Sequence, residues 1–555
     1  MLALWIHRGV KASAALAFGA LLGAVGASAT HAAPAPAGPP LACAALADVT
    51  IPAKTIGLPS SGGRVLSATL QPASGAGPAA KPEYCRVLAQ IAPVDPKAQP
   101  IRVQLNLPTA WNGKAVQMGG GGFDGFLVTA EGPAPGANAQ PTPLSRGFAT
   151  FGSDGGHSVA NPFDVDGQAA AFMNDEVMDN YAGAQLKKVH DLAIALITRH
   201  YGKAPGRTYF IGASGGGREA LTVAQKWGAD YDGAIAYYPA GGGLPMVIGF
   251  GRLSRALAAP GAYPDPAKQA MLHRAVVAAC DAADGAADGV ISNPGGCKFD
   301  VASVRCAGGA DTGDNCLSDA QIAALRTMSS DLRLKYPLAS GEVGIPGYNV
   351  FKGVDLTARI SGLGAAAPTP APIAPAQPTH YKFYDIFVRG WLTRDPKASA
   401  LAFDAEAPGL YASRMSQLSL VMQSNQADLS RFTKHGGKLI MVQGADDALV
   451  PVGWSEAYYG SIVHKMGGAA VDRAVRFYVA PGYGHGVGSF IIDWDSLTAL
   501  DNWVETGAAP ETPIATDIIP SHGGRTRPLC RYPAWPRYGG EGDINAAANF
   551  TCVNP

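Results

Sequence analysis

The sequence contains little charge and no excess of either sign. Charged residues make up 15% of its 555 residues, and 43 lysines and arginines balance 43 aspartates and glutamates. Because a protein that binds nucleic acid needs a basic surface, this balance argues against a nucleic-acid partner. After residue 32 the sequence also lacks any run of roughly 18 unbroken apolar residues, so we expect no membrane-spanning helix.

The N-terminus has the three parts of a secretory signal peptide. His7, Arg8 and Lys11 form a basic start, Ala12–Val25 is a short apolar stretch, and a small-residue cleavage site follows. We therefore predict a signal peptide at 1–32 and a secreted or periplasmic protein. An uncleaved membrane anchor is the alternative.

The eight cysteines lack the C-x-x-C and cysteine–histidine spacings of zinc sites. An even number of cysteines in an exported protein favours disulfides. We prefer neighbour pairing among the many connectivities that eight cysteines allow, namely Cys43–Cys85, Cys280–Cys297, Cys306–Cys316 and Cys530–Cys552.

Strand and helix signals alternate in two parts of the chain. Tyr209–Ile211 and Ala234–Tyr237 are apolar strands separated by a helix over Arg218–Trp227, and a longer helix is predicted at Ala182–Tyr201. Strand signals return only in the last quarter of the chain. This alternation predicts an α/β fold, a parallel sheet covered by helices.

The strongest motif is Gly212-Ala213-Ser214-Gly215-Gly216, which follows a predicted strand and precedes a predicted helix. Glycines permit a sharp turn there, and the turn exposes the Ser214 hydroxyl as a nucleophile. The next backbone N–H, from Gly215, then faces a developing oxyanion. The alternative is an ordinary glycine–serine turn.

A serine nucleophile needs a base and an acid, and α/β-hydrolases place them later in the chain. His485 lies in a glycine-rich loop, where it is suited to accept the Ser214 proton. Asp447 is the preferred acid, from its spacing to Val450, and Asp446 is its rival. A solvated loop histidine is the alternative for His485.

The domain boundaries follow from these motifs. Residues 33–240 and 425–555 are predicted to form an α/β-hydrolase core, and residues 241–424 a large inserted lid domain. Lids shape the substrate pocket and exclude water.

In the core, the glycine run 119–122 is predicted to supply a second oxyanion donor, with Gly121 preferred. A simple turn or a phosphate nest is the alternative.

The lid carries two further candidate sites. Asp281, Asp284 and Asp288 are separated by small residues, so their carboxylates can converge on a hard cation, for which we prefer calcium. The alternative is a solvated loop of Asp-Gly turns.

The second candidate is an aromatic and cationic segment beginning at residue 381. It is predicted to bind substrate through Phe387 and Trp391, with Arg389 or Arg394 pairing with a carboxylate. An amphipathic lid helix with core aromatics is the alternative.

These residues together resemble the tannase and feruloyl esterase family of α/β-hydrolases, over roughly Cys43 to Cys552. Shared motifs include Trp111-Asn112-Gly113, Ser153-Asp154-Gly155-Gly156-His157 and Ser214-Gly215-Gly216-Gly217-Arg218-Glu219. The resemblance implies a triad of Ser214, Asp447 and His485, and an oxyanion hole of Gly121 and Gly215. It also implies structural lid calcium held by Asp281, Asp284 and Asp288 with the Ala286 and Val290 carbonyls, and the two lid disulfides.

The sequence departs from this family beside the nucleophile. The family usually has a cystine joining the residue before the serine to the residue after the histidine, but here these are Ala213 and Gly486. Because both partners are missing together, we predict an intact triad whose histidine loop is held by packing alone.

The expected function is cleavage of aromatic acyl esters (feruloyl or hydroxycinnamoyl, galloyl or terephthaloyl) through an acyl-enzyme. We expect a monomer acting on a small aromatic ester. A general short-chain esterase or lipase is the alternative enzyme, and a non-catalytic binding protein that kept the fold is the alternative outside enzymes.

Overall fold

A ten-stranded mixed sheet forms the centre of the fold. The computed structural model describes residues 39–555, so the predicted signal peptide at 1–32 lies outside the described residues. The first strands are β1 (Thr50–Ile51), β2 (Gly63–Gln71), β3 (Tyr84–Ile91), β4 (Ile101–Pro108), β5 (Lys114–Met118), β6 (Ala149–Ser153), β7 (Arg207–Ala213) and β8 (Gly233–Tyr237). The accompanying helices are α1 (Val165–Ala171), α2 (Asp175–Asp179), α3 (Gln185–Tyr201) and α4 (Gly215–Lys226).

The next 200 residues add no strand to this sheet within the described chain. Within them, the predicted lid at residues 241–424 contains five α-helices and a separate two-stranded ribbon. These elements are α5 (Gly243–Leu257), α6 (Pro266–Cys280), α7 (Asp319–Ser329), β9 (Leu332–Arg333), β10 (Gly344–Ile345), α8 (Thr379–Ile386) and α9 (Ala412–Met422).

The sheet resumes after the lid, and the remaining elements follow it. They are α10 (Ser430–Lys434), β11 (Lys438–Gly444), α11 (Val452–Met466), α12 (Gly468–Asp472), β12 (Val475–Ala480), β13 (Ile492–Asp493), α13 (Ser496–Thr506), β14 (Ile514–Asp517), β15 (Thr526–Pro528), β16 (Trp535–Tyr538) and β17 (Phe550–Val553). The sheet order is β1-β2-β3-β4-β6-β5-β7-β8-β11-β12, with neighbours parallel from β6 to β12 and antiparallel from β1 to β6.

The parallel strands are apolar because helices cover both of their faces. Tyr209 and Ile211 of β7 point into one core with Trp503 of α13, whereas Phe210 points into a second core with Leu221 of α4. This arrangement confirms the predicted α/β-hydrolase architecture. In a parallel sheet all carboxyl ends meet at one edge, so the loops that follow β5, β7, β11 and β12 gather there.

Two predicted helices have different starts in the structure. The helix predicted at Ala182–Tyr201 begins regularly at Gln185, because Gly183 has a φ of 125° inside a wide turn over Asn180–Ala184. The helix predicted from Arg218 begins earlier, at Gly215, directly after the nucleophile turn.

All four predicted disulfides are present: Cys43–Cys85, Cys280–Cys297, Cys306–Cys316 and Cys530–Cys552. Among residues 39–555, no helix has both the length and the apolar character needed to span a bilayer.

Candidate active site

Ser214 lies in a strained turn between β7 and α4. Its φ is 58° and its ψ is −119°, a conformation that non-glycine residues rarely adopt. The turn is tight because β7 and α4 approach closely: a Cβ on Gly212 would lie 2.2 Å from the Gly216 carbonyl oxygen. Ser214 N–H donates to the Tyr237 carbonyl of β8 at 3.0 Å, which fixes the turn against the sheet.

His485 and Asp447 meet Ser214 at the carboxyl edge of the sheet. His485 Nε2 lies 2.8 Å from Ser214 Oγ, and its Nδ1 lies 2.9 Å from Asp447 Oδ2. Asp447 Oδ1 accepts the N–H groups of Leu449 and Val450 at 2.8 and 2.9 Å. The aspartate is therefore fixed by its own loop while its other oxygen orients the imidazole.

Asp446, the rival acid, points away from His485. Its Oδ1 is buried without a hydrogen-bond partner and lies 2.8 Å from where a Cβ on Gly353 of the lid would be. Burial, together with the Asp355 carboxylate, raises the pKa of Asp446 to about 8. The structure thus places Asp447 rather than Asp446 on the histidine.

The glycine run after β5 forms a loop beside the nucleophile. Within residues 39–555, no protein atom accepts the N–H groups of Gly122 or Gly215, whereas the Gly121 N–H lies beside the Asp124 carboxyl group and partly offsets the rise in its pKa that burial causes. A Cβ on Gly215 would lie 3.0 Å from the Gly122 nitrogen, so the loop and the start of α4 are in close contact. Of the two predicted oxyanion donors, Gly215 is free and Gly121 faces Asp124; Gly122 is a further free donor that the sequence reasoning missed.

Two buried carboxyl groups support this loop from below. Glu219 Oε2 accepts the Gly120 N–H at 3.0 Å, and its Oε1 accepts from Gln185 Nε2 at 2.6 Å. Asp124 is within hydrogen-bonding reach of Glu219. Burial, then the Glu219 carboxylate, raises the pKa of Asp124 well above its ordinary value, and burial raises the pKa of Glu219. Burial and the neighbouring carboxylate therefore favour the protonated form of Asp124.

A narrow, largely apolar pocket with an enclosed volume of about 30 Å³ opens at Ser214. Its walls come from the glycine loop, the turn before α3, α5, α8, α9 and the Asp447 loop. They include Phe123, Tyr181, Met246, Phe250, Phe383 and Met422. The charged side chain among the lining residues is Arg218, which stacks on Tyr181 with its guanidinium carbon 4.0 Å from the ring centre.

The predicted substrate-binding residues on the lid do not line this cavity, which corrects the sequence prediction. Trp391 and Phe387 are fully buried, and Trp391 packs 4.5 Å from the ring of Phe172. Arg389 already pairs with two carboxylates, Asp385 at 2.5 Å and Asp166 at 2.7 Å.

Arg394, also predicted to bind substrate, pairs with Asp175. The segment is thus an amphipathic helix with core aromatics, the alternative that the sequence had left open, and its cations are already neutralised. Phe383, four residues before Phe387, is the member of this segment that reaches the cavity. The signal in the sequence that points to Phe383 is the helical spacing of the aromatic residues in this segment.

The predicted calcium loop folds into tight turns. Asp284 accepts N–H groups from Ala286 and Ser292, Asp281 accepts from Gly289, and Asp288 accepts from Val290. Asp288 also pairs with Arg527.

Two observations bear on whether these residues fit a cation. Asp281 Oδ1 is buried without a partner, and the neighbouring Asp288 carboxylate contributes to raising the pKa of Asp281 and Asp284, after burial. The oxygen donors therefore suit a hard cation. However, residues 39–555 contain no group of three or more acidic, histidine or cysteine side chains already arranged around a metal position. Calcium stays a prediction.

The sheet, the turn at Ser214 and the later acid and histidine loops define an α/β-hydrolase fold. The chain belongs to the tannase and feruloyl esterase family, whose model matches residues 85–553. It is 39% identical to an uncharacterized esterase of Agrobacterium fabrum, over 92% of this chain and 93% of the relative. It is 31% identical to the mono(2-hydroxyethyl) terephthalate hydrolase of Piscinibacter sakaiensis, with 86% of both chains covered.

Solved structures show the same fold. The feruloyl esterase B of Aspergillus oryzae superposes with a TM-score of 0.73 at 23% identity, covering 88% of this chain and 97% of that one. Family membership and the esterase relatives support ester hydrolysis as the activity of this chain.

Proposed function

We propose that the protein is an exported serine hydrolase that cleaves esters of aromatic carboxylic acids. The observation that carries this proposal is the hydrogen-bonded chain from Ser214 through His485 to Asp447, at the mouth of an aromatic-lined cavity. Four disulfides support export, because such bonds persist in oxidising compartments.

The reaction proceeds in two halves. His485 accepts the Ser214 proton as the hydroxyl oxygen attacks the ester carbonyl, and the N–H groups of Gly121 and Gly215 stabilise the oxyanion. The imidazolium then protonates the leaving alcohol, which leaves an acyl-enzyme. Water, deprotonated by His485, releases the acid and restores the serine. Asp447 stabilises the imidazolium in both halves.

The cavity favours a flat aromatic acyl group. Phe123, Phe250 and Phe383 give it apolar walls, and aromatic side chains bind aromatic ligands with offset or edge contacts. The relatives named for feruloyl and terephthaloyl esters are consistent with these aromatic walls. We therefore expect hydroxycinnamoyl, galloyl or terephthaloyl esters as the substrates.

The proposal is tested with a p-nitrophenyl ester and a rate panel. Wild type should release a burst of p-nitrophenol and hydrolyse at least one of methyl ferulate, methyl gallate and mono(2-hydroxyethyl) terephthalate. Ser214→Ala should lose the burst and at least 10³-fold of kcat. Ser461→Ala is the matched control, because that hydroxyl bonds only the Tyr458 carbonyl of its own helix. A full burst in Ser214→Ala, or none in calcium-replete wild type, would contradict the proposal.

We also propose that the loop around Asp281 binds calcium as a structural ion. Asp281, Asp284 and Asp288, with the Ala286 and Val290 carbonyls, would hold it. The unpaired buried Asp281 Oδ1 supports this assignment. The ion would tie the end of α6 to the turn that follows, and no chemical step depends on it.

A further inference from the structure

The loops that carry the nucleophile and the histidine have no covalent link in this protein. Ala213 precedes Ser214 and Gly486 follows His485, and all eight cysteines are paired elsewhere. The backbone bonds within the histidine loop are local: Gly484 N–H donates to the Val487 carbonyl, and Gly486 N–H donates to the Gly484 carbonyl. Outside the loop, the Asp446 N–H donates to the Tyr483 carbonyl at 3.0 Å, and Asp447 holds one nitrogen of the imidazole. These bonds leave the face of the His485 ring to be held by packing.

The Tyr238 ring packs against His485 and against the residue that follows it. Its ring centre lies 4.5 Å from the His485 ring centre. A Cβ added to Gly486 would lie 3.0 Å from the Tyr238 hydroxyl oxygen, which is closer than most side-chain contacts. The phenol therefore fills the space into which a longer side chain at residue 486 would extend.

The segment around Tyr238 also holds the nucleophile turn. The Tyr237 carbonyl accepts the Ser214 N–H, and the Ala240 N–H donates to the Ser214 carbonyl, both at 3.0 Å. Tyr238 N–H in turn donates to the Val442 carbonyl of β11 at 2.6 Å. The backbone of this segment contacts Ser214, while the Tyr238 ring contacts His485.

The backbone of Tyr238 is unusual in a way that fits a positioning role. Its φ is 31°, within the left-handed range that residues with a Cβ seldom adopt. Such conformations persist where the surrounding structure enforces them, and they concentrate at functional sites. This conformation directs the ring toward the histidine loop.

We propose that Tyr238 is a positioning residue that holds His485 over Ser214, in the role that a cystine between residues 213 and 486 would otherwise fill. The inference rests on the proposed serine-esterase function for its kinetic consequences. Its steric basis does not depend on that function, because the phenol lies 3.0 Å from the position of a Cβ on Gly486, from which a link to residue 213 would start.

The kinetic test compares Tyr238→Ala, Tyr238→Leu and Tyr238→Phe in the full chain. Misplacing a catalytic group by about 1 Å can reduce the rate roughly 100-fold, so Tyr238→Ala should lower kcat by about 10- to 100-fold with KM changed less than about twofold. Tyr238→Phe, which keeps the ring, should retain at least about a third of kcat. Tyr238→Leu keeps most of the volume and should behave as Tyr238→Ala, which covers the case in which Tyr238→Ala fails to fold. Wild-type kcat in both Tyr238→Ala and Tyr238→Leu would overturn the proposal.

The steric test uses thiol titration and needs no enzyme activity. Ala213→Cys and Gly486→Cys are introduced together, once with Tyr238 present and once with Tyr238→Ala. The two introduced thiols should stay free beside Tyr238 and should oxidise to a disulfide when the ring is removed, restoring kcat to within about threefold of wild type. Equal oxidation in both backgrounds would contradict the proposal. Absence of a p-nitrophenol burst in wild type would instead contradict the esterase function. The thiol titration would then still decide whether Tyr238 blocks the link between residues 213 and 486.

Discussion

Asp124 and Glu219 lie close together beneath the glycine loop, and burial together with the Glu219 carboxylate raises the pKa of Asp124 well above its ordinary value. A carboxyl group whose folded-state pKa is raised stabilises the fold below its unfolded pKa, near 4, and loses that contribution as the pH rises through its folded pKa. Arg218 offsets part of the negative charge that then develops. The loop should therefore be most stable at mildly acidic pH.

Asp124→Asn should remove this dependence, because the amide donates to Glu219 as the acid proton does. Between pH 5 and 9 the wild-type free energy of unfolding should fall by up to about 1.4 kcal/mol per pH unit from this group, and the variant should show a flatter slope. Denaturant unfolding at several pH values measures both. Asp48→Asn, at an exposed position, is the control and should keep the wild-type slope. Identical slopes for Asp124→Asn and wild type would show that the pKa of Asp124 is not raised in the folded protein.

At the same scale, local sequence selected the three residues that the structure joins by hydrogen bonds, but not the residues around them. Ser214, Asp447 and His485 each follow a strand with a recognisable loop pattern, so local sequence was enough to select them. The cavity walls come from segments far apart in the chain, such as Phe123, Phe250 and Met422. Only tertiary packing brings those together, and local periodicity contains no information about it.

The lid contacts the acid loop as well as covering the cavity. Tyr348 hydroxyl donates to the Leu449 carbonyl at 3.0 Å, and Asn349 Nδ2 donates to the Ala445 carbonyl at 3.1 Å. His380 Nε2 lies 2.8 Å from the Ala448 carbonyl, and burial lowers the pKa of His380 to about 4, so the neutral ring donates there. Lid and acid loop therefore form one hydrogen-bonded unit. The sequence showed the insertion but gave no sign of these contacts.

Tyr348→Phe tests whether the lid positions Asp447. Removing one hydroxyl donor should cost about 1 kcal/mol of stability and leave a carbonyl unpaired, and it should lower kcat about three- to tenfold because the acid loop loosens. Tyr381→Phe is the matched control, because it loses a similar bond to the Thr369 carbonyl within the lid. It should destabilise by a similar amount and leave kcat unchanged. Equal kcat losses in both variants would argue for a general effect of lid stability.

The proposed calcium ion would stabilise the fold of the lid. Removing calcium with EDTA should lower the melting temperature by several degrees, because the ion binds the folded loop only, and added Ca²⁺ but not Mg²⁺ should restore it. Asp281→Asn should melt at the EDTA value and show no response to calcium. The measurement is differential scanning calorimetry at fixed ionic strength, and an EDTA-insensitive wild type would rule the site out.

At the scale of the whole molecule, none of the four disulfides is formed by a residue that neighbours Ser214 or His485 in the chain. They join Cys43 to Cys85, close two loops in the lid, and tie Cys530 to Cys552 near the C-terminus. Reduction should lower the melting temperature, since each bond restricts the unfolded chain. Below that temperature, kcat should stay within about twofold of the oxidised protein because no cystine flanks Ser214. Assays at 25 °C with and without reductant, paired with thermal melts, check this. Loss of activity in the folded, reduced protein would show that a distant disulfide supports the triad.

Because the lid is inserted between β8 and β11, the site residues are far apart in the sequence and are also synthesised at different times. A ribosome makes Ser214 first and completes Asp447 and His485 only after the whole lid. A chain that stops anywhere in the lid therefore contains a nucleophile without its base. Under the proposed mechanism, esterase activity therefore requires that synthesis has passed His485, in the last quarter of the chain.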